Sequence, residues 1–198
     1  MSNVAILYCG SSFTKSLYDK IISLKARPFL MPGDTPAEEV LKIDPIAIFI
    51  TGSGMAVHHP LAPSIDQGIY QCDVPVMGLC YGMQLMARDL GGQVKRMALP
   101  EKELVLLEEQ EPSVLYRDFD GSGVPVWMAH VCRVTQMPPG FSNTGKTDDT
   151  SIASMEHEEL GLYGVQYHPE HIGKDPSSQA GTAIIWNFLN GVCGHEVA

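Results

Sequence analysis

Val74-Pro75-Val76-Met77-Gly78-Leu79-Cys80-Tyr81-Gly82-Met83-Gln84 joins an apolar run to a helical pattern through a cysteine set between two glycines. Val74 to Leu79 reads as a short buried strand. Met83, Met86, Ala87 and Leu90 recur at helical spacing, so Met83 to Leu90 reads as a helix. Cys80 then occupies a tight strand-to-helix turn, which lifts its side chain clear of both elements. Gly78 and Gly82 remove side chains where strand and helix crowd together, and they tolerate unusual backbone angles. The thiol lies at a helix N-terminus, where unpaired N–H groups favour negative charge. The Tyr81 N–H points to where an oxyanion forms during attack on a carbonyl.

A cysteine nucleophile needs a base, and the base needs an orienting carboxylate. Gly164-Val165-Gln166-Tyr167-His168-Pro169-Glu170 supplies both. Leu162 to Tyr167 reads as a strand. Residues two apart on extended chain face the same side, as His168 and Glu170 do, and Pro169 stiffens the link. Glu170 beside Nδ1 leaves Nε2 of His168 free to take the thiol proton. Cys80, His168 and Glu170 are therefore the expected catalytic residues.

The elements upstream alternate. Val4 to Tyr8 is an apolar strand, and Phe13, Leu17, Ile21 and Leu24 mark an amphipathic helix. Phe29 to Pro32 is a short strand, Pro36 to Leu41 a short helix, and Ile46 to Ile50 a fully apolar strand. Ile65, Ile69 and Cys72 mark a further helix. This order predicts an α/β fold, flavodoxin-like, with a mostly parallel sheet and helices on both faces. Functional loops then fall at strand C-terminal ends, where Thr51-Gly52-Ser53-Gly54 and Cys80 both lie. Downstream, Leu104–Leu107, Val124–Met128, Ser151–Met155 and Leu162–Tyr167 read as strands, and about Ser177 to Leu189 as a helix. Pro138-Pro139-Gly140 and Thr147 to Thr150 are turns. Without a repeat or linker, residues 1–198 read as a single domain.

The paired motifs G-x-C-x-G-x-Q and G-V-Q-x-H-P-E resemble those of class I (triad) glutamine amidotransferases. Pro75 to Gln84, Trp127-Met128-Ala129-His130 and Cys9-Gly10-Ser11-Ser12-Phe13-Thr14 are most similar to the glutaminase domain of GMP synthetases. The likeness runs from about Val4 to Phe188. It implies that Cys80 attacks the side-chain amide of L-glutamine, with His168 as acid/base and Glu170 as orienter. Ammonia leaves and a glutamyl thioester is then hydrolysed. It also implies an oxyanion site at Tyr81, Gly52 and Ser53, and substrate contacts from Gln84, Ala129, Val131 and Cys132. Three places depart from the relatives. Ser53 stands where a glycine is usual, Val131-Cys132 where Gly-Asp is frequent, and His171-Ile172 follows the H-P-E motif.

No nucleotide-binding loop of the form G-x-x-x-x-G-K-[ST] is present, so no acceptor-activating machinery is expected in this chain. The resemblance then implies a glutaminase subunit supplying ammonia to a separate synthetase. Two alternatives stand beside it: a hydrolase or transferase acting on another γ-glutamyl amide, and a non-catalytic regulatory partner. Ser53 and Val131-Cys132, which flank the presumed glutamine pocket, motivate the first, and Ser53 the second. No cofactor is expected, and no metal, since His58-His59 with His171 fit no ligand spacing. His130 reads as a structural histidine rather than a base.

A net charge of −10 with no Lys/Arg-rich run argues against nucleic acid. No apolar stretch is long enough to span a bilayer. No signal peptide is expected. The five cysteines, at 9, 72, 80, 132 and 193, form no disulfide framework. A reactive thiol implies the cytoplasm.

Overall fold

The computed structural model describes residues 1–196; residues 197 and 198, the end of the expected domain, lie outside the described residues. The elements run β1 (Asn3–Tyr8), α1 (Thr14–Ser23), β2 (Arg27–Pro32), α2 (Ala37–Leu41), β3 (Pro45–Ile50), β4 (Val76–Leu79) and α3 (Tyr81–Asp89). There follow β5 (Gln93–Glu109), β6 (Val124–Gln136), β7 (Ser142–Lys146), β8 (Ser154–His157), β9 (Leu162–Val165) and α4 (Pro176–Asn187). The strands form one sheet in the order β2-β1-β3-β4-β9-β8-β7-β5-β6. It is mixed. From β2 to β9 neighbours run parallel; from β9 to β6 they run antiparallel.

The parallel half is explained by its residues. Val4 to Leu7 of β1 and Ala47 to Ile50 of β3 are completely buried, as apolar runs covered on both faces must be. Successive side chains point to opposite faces. Val4, Ile6 and Phe49 meet Leu17 and Ile21 of α1 and Ile184 and Ile185 of α4. Ala5, Leu7, Ile48 and Ile50 meet Val40 of α2 and Met83, Met86 and Ala87 of α3. Each large side chain so buried contributes roughly 2–3 kcal/mol.

Several expected elements shift. The helix expected around Ile65 to Cys72 is a 3-10 turn, Gln67–Gln71. The Asp66 carboxylate accepts from Gly68 N and from Ala37 N, both at 2.9 Å, and fixes the chain there. The strand expected at Ser151–Met155 begins at Ser154. β5 and β6 extend far beyond Leu104–Leu107 and Val124–Met128. In β6 the inward positions Val126, Met128, His130, Cys132 and Val134 keep the two-residue period, but a histidine interrupts its apolar reading. In β5 a register shift between Arg96 and Glu101 breaks the alternation. β7, Ser-Asn-Thr-Gly-Lys, is polar and was not expected; its place comes from pairing with β8 and β5.

At the elbow the glycines are sterically required. A Cβ on Gly82 would lie 2.3 Å from the Ile50 carbonyl oxygen, and one on Gly78 2.6 Å from Gly82 backbone. Both obstacles are main chain and do not yield. Gly82→Ala is expected to lose about 3 kcal/mol of stability, read from the urea midpoint at unchanged slope.

Candidate active site

β4 and β9 are parallel neighbours with Leu79 opposite Val165. The elbow after β4 and the H-P-E segment after β9 therefore leave the sheet side by side. The Cys80 N–H donates to the Val165 carbonyl at 2.7 Å. Cys80 has φ 50° and ψ −99°. A non-glycine residue held there stores about 1–3 kcal/mol, retained only where surrounding structure enforces it.

His168 Nδ1 lies 2.9 Å from Glu170 Oε1, and both residues are buried. The His168 N–H is fixed by the Trp127 carbonyl at 2.9 Å. The Phe13 ring covers the imidazole at a centroid distance of 4.6 Å. Gly52 packs close to the ring, where a Cβ would meet His168 Cε1 at 3.2 Å. His168 Nε2 and Cys80 Sγ both face the Ala129 carbonyl, at 3.4 and 3.9 Å. Burial opposes a charged imidazole, yet the Glu170 carboxylate and the Cys80 sulfur outweigh it and hold His168 well above the usual histidine value. The arrangement favours the protonated imidazole.

The thiol opens into a cavity of about 500 Å³ between the elbow, the loop after β1, the loop after β3 and strand β6. The sequence-expected residues Tyr81, Ser53, Gln84, Ala129, Val131 and Cys132 all line it. Among the described residues the N–H groups of Tyr81 and Ser53 have no acceptor. Ser53 is not among the residues of positive φ, so its side chain brings no left-handed strain to the loop; its Oγ accepts from Met55 N at 3.2 Å. Gln84 is buried rather than on the surface. Its Nε2 donates to the Cys132 carbonyl at 2.7 Å and to Gln166 Oε1 at 3.1 Å.

The sequence reading missed Gln166, whose Nε2 lies 3.5 Å from Cys80 Sγ. Its position two before His168, on the same strand face, was the available signal. It also missed Glu101. This carboxylate lines the cavity 2.9 Å from His130 Nε2 and accepts from Thr150 Oγ1 at 3.0 Å. His130 Nδ1 faces the Cys132 carbonyl at 3.0 Å, in keeping with a structural histidine. No sequence spacing relates Glu101 to His130; the pairing of β5 with β6 does. Burial pushes the Glu101 carboxyl up, but His130 and Thr150 hold it below its usual value of 4.5. A depressed carboxyl stabilises the fold above its unfolded value and loses that contribution as pH falls through the folded one. Glu101→Gln is expected to cost about 2 kcal/mol near neutrality. In thermal melts its deficit against wild type should shrink as pH drops below 4.5.

The three loop histidines do not converge. His58 Nε2 faces the Val94 carbonyl, His59 Nδ1 accepts from Leu61 N, and His171 stacks on Trp127 and pairs with Asp175. Among the described residues no cluster of metal-ligating side chains occurs.

The protein-family model for glutamine amidotransferase class-I matches residues 5–190. The GMP synthase [glutamine-hydrolyzing] of Thermus thermophilus is 38% identical over 186 residues, covering 94% of this chain and 36% of that protein. The Gloeobacter violaceus protein of the same name is 34% identical, covering 98% of this chain and 34% of its own length. The chain thus spans about a third of the length of these curated relatives. A solved structure from Thermoplasma acidophilum, assigned to a GMP synthase subunit, superposes with a TM-score of 0.84 at 20% identity, covering 98% of this chain and 94% of that one. A glutamine amidotransferase from Thermotoga maritima gives 0.75 at 14% identity, covering 98% and 99%. At those identities the structures speak for the fold alone, but the family model spans nearly the whole chain, and on that basis the chain belongs to the class-I glutamine amidotransferases.

Proposed function

We propose that this chain is a glutaminase domain: it hydrolyses L-glutamine to glutamate and ammonia through a thioester on Cys80, and feeds the ammonia to an amidating synthetase of the GMP synthase type. The observation that carries the reading is the strained Cys80 turn facing His168, whose other nitrogen is held by Glu170 at 2.9 Å.

The Cys80 thiolate attacks the γ-amide carbon, and the carbonyl oxygen becomes an oxyanion. The free N–H of Tyr81 and the Gly52-Ser53 loop lie where that charge develops. His168 gives its Nε2 proton to the amide nitrogen, the C–N bond breaks, and ammonia leaves. Water then attacks the thioester carbonyl as His168 takes a proton from it. Collapse of this second intermediate breaks the C–S bond, releasing glutamate and restoring the thiolate. Ala129, Val131, Cys132 and the Gln84 side chain form the walls against which the rest of glutamine would lie. No metal or cofactor takes part in this scheme.

Ammonia released into water is protonated and lost to amidation, so the reaction serves a synthesis only beside an acceptor site. The similarity to GMP synthases supports that type of synthetase as the partner. The charge of −10 supports neither a nucleic-acid nor an anionic-membrane partner, and among the described residues no helix is long and apolar enough to cross a membrane. A reduced Cys80 suits the cytoplasm. Ser53 carries no left-handed strain, which speaks against a loop forced shut by its side chain. Activity toward another γ-glutamyl amide remains an outcome of the test.

The test is glutamate release from glutamine by the purified chain, alone and with a GMP synthase-type synthetase charged with its nucleotide substrates. Release is expected in both, faster with the synthetase. Turnover of a different γ-glutamyl amide with none of glutamine would overturn the reading.

A further inference from the structure

One buried charge has no place in the chemistry above. Lys20 of α1 is 7% exposed, and its Nζ donates to the Pro169 carbonyl at 2.8 Å and to the Ser178 carbonyl at 2.9 Å. Pro169 is the residue between His168 and Glu170. Its carbonyl also packs closely on α4: a Cβ on Gly181 would lie 2.1 Å from that oxygen. Glu170 is 1% exposed and uses Oε1 on His168, while its Oε2 is buried without a hydrogen-bond partner among the described residues.

Joining two carbonyls needs only a neutral donor. Burying an ammonium there is costly unless an anion compensates it. Glu170 is the acidic group whose field acts on Lys20. Burial draws the Lys20 ammonium down to about 8, and the Glu170 charge opposes that fall. The charge and the clamp thus converge on one segment, the turn that sets Glu170 against His168.

We propose that Lys20 is a positioning residue for the reaction: its ammonium clamps the Pro169 carbonyl and supplies the buried counter-charge that holds the Glu170 carboxylate on His168 Nδ1. It touches neither substrate nor the reacting atoms and acts through Glu170. The inference rests on the glutaminase reading.

The titratable groups around this cluster are Lys20 from α1, His168, Glu170 and His171 after β9, Asp175 before α4, and Cys80 at the elbow. Lys20→Gln keeps a donor and removes the charge. In the full chain, kcat for glutamine is expected to fall about tenfold or more with KM within about twofold. In a Glu170→Gln background the same change should cost less than about threefold, because the carboxylate it serves is gone. Near wild-type kcat, losses that multiply in the double variant, or a KM that rises as kcat falls would each overturn the proposal. Lys20→Met, of similar length, carries the same expectations if Lys20→Gln fails to fold. If the wild type turns over no glutamine, the glutaminase reading fails separately. Iodoacetamide alkylation of Cys80, followed by peptide mass, then decides on Lys20. The ratio of rates at about pH 6 and about pH 9 should differ at least about threefold between wild type and Lys20→Gln, and an unchanged ratio would overturn the proposal.

Discussion

Replacing Cys80 by alanine is expected to cut glutamate release from glutamine to the buffer rate, a loss of about 10⁵-fold or more. The other groups still bind and polarise the amide. Without the sulfur, however, no thioester forms, and His168 has no nucleophile to activate. The variant should remain folded. Alanine meets the same positive φ at the elbow as cysteine does, so the backbone strain is unchanged. Loss of one buried sulfur leaves a small gap, and stability should change by about 1 kcal/mol. The decisive comparison is therefore activity against melting temperature. Quenched wild-type enzyme should carry a glutamyl adduct in its intact mass, and Cys80→Ala should carry none. Residual turnover above about 1% of wild type would show that another group performs the attack.

Glu170→Gln is expected to lower kcat by about 10³–10⁴-fold while leaving KM within a few-fold. The amide matches the carboxylate in size, so the turn after His168 should persist. Two things change. A glutamine can present its N–H₂ to Nδ1 and so select the wrong tautomer, which places the ring proton on Nε2 and blocks acceptance from the thiol or water. The anion that outweighs burial of the imidazole is also gone. With burial now less opposed, His168 should titrate at lower pH in the variant than in wild type. NMR titration of the imidazole reads that shift directly. An equal fall in kcat and in glutamine affinity would instead make Glu170 a structural residue.

The elbow was legible because its requirements are local. A cysteine between glycines, an apolar run before it and a helical period after it are all contained in residues 74–90. The H-P-E segment was legible for the same reason, since its two polar groups share a strand face. Glu101 and Lys20 were not. Glu101 follows an irregular stretch of β5 and carries no pattern of its own. Lys20 stands three residues after Leu17 on the apolar side of its helix, but nothing along the chain names its partners; only docking of α1 against Pro169 and Ser178 does. The antiparallel end of the sheet was also underread, because Ser142 to Lys146 has no apolar alternation.

The sequence by itself determined the parallel α/β core and the three residues offered for the chemistry, since buried apolar runs and short motifs are properties of neighbours along the chain. Only the tertiary structure decided that β4 and β9 lie side by side and so bring Cys80 to His168. It alone decided that Gln84 is buried against Gln166, that Glu101 faces His130, and that a lysine far upstream grips the segment carrying Glu170. Those contacts join residues distant in sequence. They exist because folding excludes water from groups that must then find partners in one another, and no local pattern records which partners those will be.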